Sequence, residues 1–479
     1  MRIIYLLAAL LLVVACSTVD QTQSSPDSAP VTYVRKNIYS PEAAADIEAL
    51  KTANEIMRDL DCSNPLSWYY QGALHLTPPA VENNLLCPQF SSFPTDSLPG
   101  WGGCTHDMEE TSRPHFLTWH RMYIWHYEKI VRKLSGKEDF ALPYWEYTNA
   151  SYRVMPEAFR DTSSSLYTAG RLDSLNMGIP ITEAYNFHMD PTNIFECTTY
   201  EQFNPGLDDT PHGPMHGYIG GSKYDTPPMY NEIFQKDTIG VMGLLASAGF
   251  DPIFFVHHAN IDYLWEIWNQ SDNGKAPIRD SLLAVPWNYV FFDENGQQVN
   301  YTIDQVLDTI YNLDYKYDVL EEMTHAEVVA EVTPDVQLWS QEFFTDLNKD
   351  NNEYAISREK VESTFDRLDS LGENDRLLLQ VRVSFEEEPN STYYVFLNLD
   401  EETEQEKEER FAGGMSFFGA GEHLAMMSMS RMGKTFRYDI TDELKDLDPN
   451  ELRINIREIG GKRDENMTFE SASLYIKSY

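Results

Sequence analysis

Three histidines in the middle of the chain have the spacing of a metal site. His212 and His216 are four residues apart in the string PHGPMHGYIGG, so a helix would place both imidazoles on one face, about 5–6 Å apart at Cβ. His258, in the later string DPIFFVHHANIDYLW, would approach the same ion from a second helix. Asp262, four residues after His258, is placed to orient that imidazole. This pattern predicts a site for one metal ion.

A second group of histidines precedes these three in the chain. The string WYYQGALH ends at His75, CTH ends at His106, and HFLTWHRMYIWHYE carries His120, with Glu128 eight residues later. Together with DPIFFVHHANID, these strings resemble the metal half-sites of type-3 copper proteins, the family of tyrosinases, catechol oxidases and hemocyanins. In that family three histidines hold each of two copper ions, and the two ions share one dioxygen molecule. The resemblance therefore implies a cofactor of two copper ions.

The resemblance assigns three ligands to each copper. The first set is His75, His106 and His120, and the second set is His212, His216 and His258. Glu128 and His257, which precedes a ligand on the same helix, are expected beside the ligands rather than among them. The chemistry agrees, because the affinity of imidazole sites peaks at Cu(II). Moreover, two three-histidine sites with open positions suit redox copper better than structural zinc.

The second ligand of the first copper has an alternative. Thirteen residues separate His106 from His120, whereas the family usually has eight, so His115 remains a candidate. Cys104 and His106 match the string in which fungal tyrosinases join a cysteine sulfur to the ligand imidazole. This match favours His106 and predicts a thioether bond between Cys104 and His106.

The residues around the second histidine set indicate which phenols would react. The family's glutamate four residues before the first ligand of the second copper corresponds to Asp208, the candidate catalytic carboxylate. Gly213 and Gly217 follow His212 and His216. A shorter carboxylate, and a glycine where hydroxylases often carry asparagine, weaken the case for monophenol hydroxylation. The resemblance thus implies oxidation of o-diphenols to o-quinones, with catechol oxidase favoured over tyrosinase.

Two further predictions concern access to the site. Leu245, thirteen residues before His258, is a candidate gate over one copper. In relatives a C-terminal domain covers the copper mouth with a bulky side chain, and the string FAGGMSFFGAGEH offers Phe417 or Phe418 for that role. The expected partners are a phenolic small molecule and dioxygen.

The elements that must position these residues are predicted to be mainly helical. Apolar periodicity and capping residues predict helices over 40–60, 65–76 and 113–134 and around the second histidine set. Two helix pairs with inward imidazoles describe a four-helix bundle around a metal pair. From residue 377 onward, period-two alternation in strings such as LLLQVRVSF and LRINIRE predicts a C-terminal antiparallel β-sandwich.

The chain divides into six predicted regions. Two strings, VPWNYVFFDENGQQVNYTIDQVLD and TFRYDITDEL, resemble the middle and C-terminal regions of plant polyphenol oxidases. The regions are a signal peptide at 1–15, a lipoprotein-like tether at 16–35, a tyrosinase-like dicopper domain at 36–275, a plant polyphenol oxidase-like middle segment at 276–319, a linker at 320–376 and the β-sandwich at 377–479.

The first residues predict export. The apolar run IIYLLAALLLVVA is shorter than the roughly 20 apolar residues of a spanning helix and is typical of a secretory signal. The tripeptide Val14-Ala15-Cys16 resembles the cleavage box of bacterial lipoproteins, so a lipidated Cys16 would anchor the protein in the periplasm or at the outer membrane. Cys62 and Cys87, which flank His75, could pair in such an oxidising compartment.

The charge of the chain excludes one class of partner. Its 76 acidic and 36 basic residues give a formal charge of −40, which repels nucleic acid and favours neutral or cationic small molecules. Two other functions remain open. A hemocyanin-like protein would bind oxygen reversibly with the same six histidines and a blocked substrate approach, and an o-aminophenol oxidase would use the same site.

Overall fold

The structure is a computed structural model of the 479-residue chain. It describes residues 33–91, 98–104, 114–182, 189–221, 228–271, 287–307 and 312–320, isolated residues between them, and 336–478 with gaps that include 348–351, 418–430 and 460–466. The predicted signal peptide, Cys16 and the tether up to residue 32 lie outside the described residues. Among the described helices, none is long and apolar enough to cross a membrane.

Buried apolar side chains form two large cores, and these define two domains. One core gathers residues between Ile38 and Tyr317, and the other gathers residues between Trp339 and Ile476. The N-terminal domain is helical at its core, and the C-terminal domain consists mainly of antiparallel strands. This arrangement agrees with the predicted order of a helical domain followed by a β domain.

The N-terminal domain is built from helices joined by long loops. Its helices are α1 (Ala44–Asp59), α2 (Trp68–His75), α3 (Phe116–Ser135), α4 (Glu157–Arg160), α5 (Asp173–Asn176), α6 (Thr192–Phe195), α7 (Tyr200–Leu207), α8 (Gly213–Gly220), α9 (Leu245–Ala248), α10 (Ile253–Gln270) and α11 (Ile303–Leu307). The 20-residue α3 is central, since α1 and α10 both pack against it. It ends at Gly136, whose φ of 74° closes the helix in the left-handed region.

Two short helices, α2 and α8, have predicted ligand histidines at their ends. The hydroxyl of Ser67 caps α2 by accepting from Tyr70 N at 3.0 Å, and all eight residues of α2 are buried. Its last residue is His75. Before α8 the chain forms an irregular wide turn over Asp208–His212, in which Thr210 has extended φ and ψ angles and Pro211 follows. The turn places His212 directly before the first residue of α8.

The N-terminal domain also contains short paired strands. They are β1 (Tyr33–Arg35), β2 (Met229–Asn231), β3 (Lys236–Thr238), β4 (Phe291–Phe292), β5 (Gln298–Val299) and β6 (Tyr315–Tyr317). Strand β1 pairs in parallel with β6, so that Arg35 lies opposite Tyr317. The predicted pairing of Cys62 with Cys87 is confirmed by a disulfide that joins the segments on either side of α2.

The C-terminal domain contains two four-stranded antiparallel sheets that share one core. Its elements are β7 (Val336–Asp346), β8 (Glu353–Ala355), α12 (Arg358–Leu368), β9 (Asp375–Phe385), β10 (Thr392–Leu397), β11 (Phe411–Met415), β12 (Met432–Asp439), β13 (Arg453–Ile459) and β14 (Met467–Ser478). The strand orders are β11-β10-β13-β8 and β12-β9-β14-β7. Buried residues from both sheets belong to the same cluster.

The predicted linker over 320–376 needs correction. That stretch contains β7, β8 and α12, and Trp339, Tyr354 and Val361 belong to the second core. The stretch looked weakly patterned because β7 is an edge strand with mostly exposed or half-buried residues, so that its apolar alternation is faint.

Candidate metal centre

Potential metal-ligand atoms converge in two clusters of the N-terminal domain. The first cluster consists of His75, Cys104 and His120, and the second consists of His212, His216, His257 and His258. Within each cluster, one ligand atom from each residue lies within 4.8 Å of the others. All of these residues are buried except Cys104, which is half-buried. Each cluster is therefore compact enough for one ion.

The two clusters are adjacent. The His120 ring of the first cluster stacks on the His258 ring of the second, with centroids 4.1 Å apart and planes 4° from parallel. The His212 ring is 6.0 Å from His120. Helix α3 carries His120 and α10 carries His258, and these two helices pack together along the core. The arrangement can place two ions side by side, where one small ligand could bridge them.

Main-chain carbonyls orient three of the rings. The Nδ1 atom of His75 lies 3.0 Å from Leu245 O, that of His120 lies 2.8 Å from Phe116 O, and that of His216 lies 3.0 Å from Met242 O. A carbonyl oxygen can only accept, so each Nδ1 carries the proton and donates it. In a neutral imidazole the other nitrogen, Nε2, then keeps its lone pair for a metal ion. This tautomer is the one that fits copper ligation through Nε2.

A carboxylate orients the fourth ring. The Nδ1 atom of His212 lies 2.9 Å from Asp208 Oδ1 and 3.3 Å from Asp208 O. Asp208 is 7% exposed, so the contact is shielded from water. A carboxylate in this position fixes the orientation of a ligand imidazole and raises its basicity. The structure thus gives the predicted catalytic residue Asp208 a direct contact with His212.

The prediction that Asp262 orients His258 is wrong. The Asp262 carboxylate instead accepts from Arg121 Nε at 2.6 Å, from Arg35 Nη1 at 3.0 Å, and from the hydroxyls of Tyr315 and Tyr317 at 2.6 and 2.7 Å. Among the described residues, neither ring nitrogen of His258 has a hydrogen-bond partner. Burial opposes ionisation, but Arg121 and Arg35 hold the pKa of Asp262 below its ordinary value. Asp262 therefore joins α10 to α3 and β1 rather than touching a ligand.

Glu128 belongs to the same buried charge network. Its carboxylate accepts from Arg35 Nε at 2.8 Å and from Leu142 N at 3.0 Å, and it also pairs with Arg132. Arg35 and Glu128 are both fully buried. Glu128 was expected beside the ligands. The contacts of its carboxylate are with Arg35, Leu142 and Arg132 instead of with a histidine ring.

His257 is a member of the second cluster, although the sequence predicted it beside the ligands rather than among them. Its Nδ1 atom lies 2.9 Å from the hydroxyl of Tyr147, and one of its ring nitrogens belongs to the group of potential ligand atoms. The His216 and His212 rings have centroids 4.9 and 5.4 Å from it. Burial, reinforced by neighbouring histidines, holds the pKa of His216, His257 and His258 well below the ordinary value. The rings are therefore neutral, as metal ligands must be.

Phe254 is a component of the site that the sequence prediction missed. Its fully buried ring lies 4.8 Å from the His75 ring, 4.2 Å from the His258 ring and 5.7 Å from the His216 ring. An apolar ring among ligands from both clusters keeps water from one side of the centre. The signal was present in the sequence, because Phe254 precedes His258 by four residues on the same helix face.

The first cluster contains Cys104 but not His115. Cys104 Sγ lies 3.5 Å from His120 Nε2. His115 instead contacts Thr118 Oγ1 through Nδ1 at 3.2 Å, and its ring packs edge-on against Trp287. His106 lies outside the described residues, so the thioether with Cys104 stays a prediction. Within the described part of the chain, His115 belongs to neither cluster.

The predicted gate and cap residues have other surroundings. The Leu245 side chain is buried against Leu76 and Ala246, while its carbonyl holds His75; its role as a gate stays a prediction. Phe417, proposed as a cap, is a core residue of the C-terminal domain, with its ring 5.3 Å from Phe385. The cap role for Phe417 is therefore wrong, because burying it stabilises its own domain. Phe418 lies outside the described residues.

A different part of the C-terminal domain approaches the metal centre. Lys434 Nζ, on β12, lies 3.1 Å from Asp209 Oδ1, and both side chains are largely buried. On β11, a Cβ atom placed on Gly414 would be 3.1 Å from Thr210 Oγ1. Asp209 and Thr210 belong to the irregular turn that carries His212. The two domains therefore meet beside the second cluster.

Comparisons with known proteins agree with this geometry. The family model for the common central domain of tyrosinase matches residues 65–193 and 180–271, and the model for the polyphenol oxidase middle domain matches residues 287–327. A tyrosinase of Hahella sp. is 28% identical over 300 residues, which cover 59% of this chain and 62% of that protein. The latent chloroplastic polyphenol oxidase of Prunus armeniaca is 25% identical over 447 residues, covering 83% and 67%.

Solved structures show that the fold extends beyond the matched regions. The latent apple tyrosinase superposes with a TM-score of 0.62 at 20% identity, over 95% of this chain and 98% of its own. A recombinant latent aurone synthase, a polyphenol oxidase, superposes with a TM-score of 0.66 at 17% identity, over 95% and 91%. At such identities the likeness concerns the fold, which includes both domains.

Proposed function

Because its central region, residues 65–271, belongs to the tyrosinase family of dicopper proteins, we propose that this chain is a polyphenol oxidase that converts o-diphenols to o-quinones with dioxygen as acceptor. The observation that carries the proposal is the stacking of His120 on His258, which sets two buried imidazole clusters side by side. Bound copper would supply the redox couple and the binding site for dioxygen.

The donor set fits copper. Neutral imidazole nitrogens favour Cu(II) among divalent ions, and the carbonyl contacts of the rings leave Nε2 available for ligation. In this proposal the first copper is held by His75, His106 and His120, and the second by His212, His216 and His258. The chain's other residues orient those rings and exclude water, with Asp208 acting on His212 and Phe254 packing against His75 and His258 on one side of the centre.

One feature favours o-diphenols over monophenols. Hydroxylation of a monophenol needs a base near the second copper, and the Asp208 carboxylate is already engaged by His212 Nδ1 at 2.9 Å. An o-diphenol already carries both oxygens and needs no hydroxylation.

The test combines metal analysis with parallel assays. The purified full chain should contain two copper ions and should oxidise an o-diphenol faster than the matching monophenol. His75→Ala should lower the copper content from two ions towards one and abolish turnover, whereas His126→Ala, at a buried position of α3 outside both clusters, should retain both ions. Two coppers without quinone formation would instead indicate an oxygen carrier, and a single zinc ion would overturn the proposal.

We also propose that the C-terminal domain restricts access to the site. Support comes from Lys434 and Gly414, which contact the turn carrying His212. Lys434→Gln in the full chain should weaken this contact and raise o-diphenol turnover. Arg358→Gln, which breaks an exposed ion pair on α12, is the matched control and should leave turnover unchanged. Equal turnover in both variants and the parent chain would contradict a restricting role.

A further inference from the structure

One short segment contacts a histidine of each cluster. Residues Val241–Ala248, here called the bridge segment, contain a 3-10 turn followed by α9. Within it, Leu245 O accepts from His75 Nδ1 and Met242 O accepts from His216 Nδ1, each at 3.0 Å. His75 belongs to the first cluster and His216 to the second. The same piece of main chain therefore orients one ring on each side of the centre.

The bridge segment is tightly packed between α2, which carries His75, and α8, which carries His216. A Cβ atom placed on Gly220, at the end of α8, would lie 1.9 Å from Gly243 N. At the other end of the segment, a Cβ atom placed on Gly249 would lie 2.9 Å from the Cβ of His75. Main chains approach this closely only where side chains are missing. A shift of the bridge segment would thus move the ends of α2 and α8.

Two buried polar side chains hold the bridge segment in shape. The Ser247 hydroxyl donates to Val241 O at 2.7 Å, which closes the segment on itself. The Asn231 amide donates to Ser247 Oγ at 3.0 Å and to Ile239 O at 3.1 Å. Asn231 and Ser247 are both completely buried. None of these contacts involves a histidine, so the two side chains act on the site only through the main chain.

We infer that Asn231 and Ser247 are positioning residues that set the geometry of both copper sites at once through the bridge segment. The inference rests on the dicopper function proposed above. The hydrogen-bond partner of a ligand imidazole fixes its tautomer and orientation, and mutation of such a partner typically weakens metal binding about 10–100-fold. Because Met242 O and Leu245 O share one segment, loss of the Ser247 hydroxyl should weaken both sites together.

The experiment is a copper titration of the apo full chain, read as stoichiometry and affinity. The parent chain should bind two Cu(II), and Ser247→Ala should weaken both binding steps by about 10-fold or more. Ser473→Ala is the matched control: its buried hydroxyl contacts Ser340 at 2.8 Å in the C-terminal sheets. Ser247→Ala loses two buried hydroxyl contacts and Ser473→Ala loses one part-buried contact. Both variants should lose thermal stability, but only Ser247→Ala should lose copper affinity.

The outcomes separate this inference from the proposed function. A parent chain that fails to bind two coppers would overturn both. A parent chain with two coppers, combined with unchanged affinities or a single weakened step in a folded Ser247→Ala variant, would overturn the inference alone. Asn231→Ala removes the second contact of the bridge segment and is measured in the same way, so the inference stays falsifiable if Ser247→Ala does not fold.

Discussion

The two histidine clusters differ in what orients their rings. In the first cluster both imidazoles, His75 and His120, donate to main-chain carbonyls. In the second cluster His216 does the same, but His212 depends on the carboxylate of Asp208. A carbonyl persists whatever side chain its residue carries, whereas a carboxylate is lost with one substitution. The second cluster should therefore be the more sensitive of the two to mutation.

The clusters also share a support. Asp262 on α10 binds Arg121 on α3, next to His120, and it binds Arg35 on β1 as well. The helix of the first cluster and the last helix of the second are thus joined by buried charges. Substitutions in this network should affect both clusters, whereas substitutions at other positions should affect one cluster more than the other.

The largest effect is expected at the shared support. Asp262→Asn leaves the buried guanidinium groups of Arg35 and Arg121 without their common anion, which costs about 3–5 kcal/mol. Urea denaturation of the apo chain measures the loss. Glu362→Gln breaks an exposed pair on α12 and should cost at most about 1 kcal/mol. A similar small loss for Asp262→Asn would show that the clusters do not depend on this network.

Acid should lower the stability of the protein through His126 on α3. Burial, with a contribution from Lys129, lowers the pKa of this histidine from 6.5 to about 3. The unfolded chain therefore binds the proton first, and stability is lost as the pH falls from about 6.5 towards 3. His126→Phe should reduce the slope of unfolding free energy in this window by up to about 1.4 kcal/mol per pH unit. An unchanged slope would show that a group other than His126 causes the loss of stability in acid.

A more selective effect is expected at the second cluster. Asp208→Asn keeps the shape but removes the charge that His212 Nδ1 contacts, so one copper should bind about 10-fold more weakly while the other is retained. Stepwise copper titration distinguishes the two steps. Asp209→Asn is the matched control, because its carboxylate faces Lys434 instead of a histidine. Equal weakening of both steps would remove the contrast between the clusters.

The smallest effect tests how tightly α8 is packed. Gly217→Ala adds a methyl group that meets no atom within 4 Å and should stabilise the helix by about 0.5–1 kcal/mol. Gly220→Ala in the same helix would press on Gly243 N and should destabilise the protein. Thermal unfolding of the two variants gives opposite shifts. Shifts of the same sign would contradict the close packing of α8 on the bridge segment.

Sequence reasoning worked where the deciding contacts are local. His212 and His216 are four residues apart, one directly before α8 and one within it, and their ring centroids lie 4.6 Å apart. The structure groups them with His258, whose ring stacks on His120 of the cluster that contains His75. The alternation of apolar residues after residue 377 likewise predicted strands that the structure contains, including β9 and β13. Periods of 3.6 and 2 are properties of single elements and can be recognised without knowing the packing.

Sequence reasoning failed where the partner is distant along the chain. Asp262 was paired with His258 because they are one turn apart, but its partners Arg35 and Tyr315 come from β1 and β6. Phe417 was predicted as a candidate cap over the copper mouth, yet Phe385 and other rings from distant strands bury it. Such pairings depend on which elements meet in space, and no spacing in the sequence reports that.

The bridge segment has a consequence for protein engineering. Since Met242 and Leu245 act on the histidines through their main-chain oxygens, their side chains can be exchanged without deleting either acceptor. A library at positions 242 and 245 would therefore vary the buried side chains of the bridge segment while both carbonyl acceptors remain in the chain. Such variants would measure whether the predicted gate at Leu245 acts through its side chain, separately from the carbonyl that orients His75.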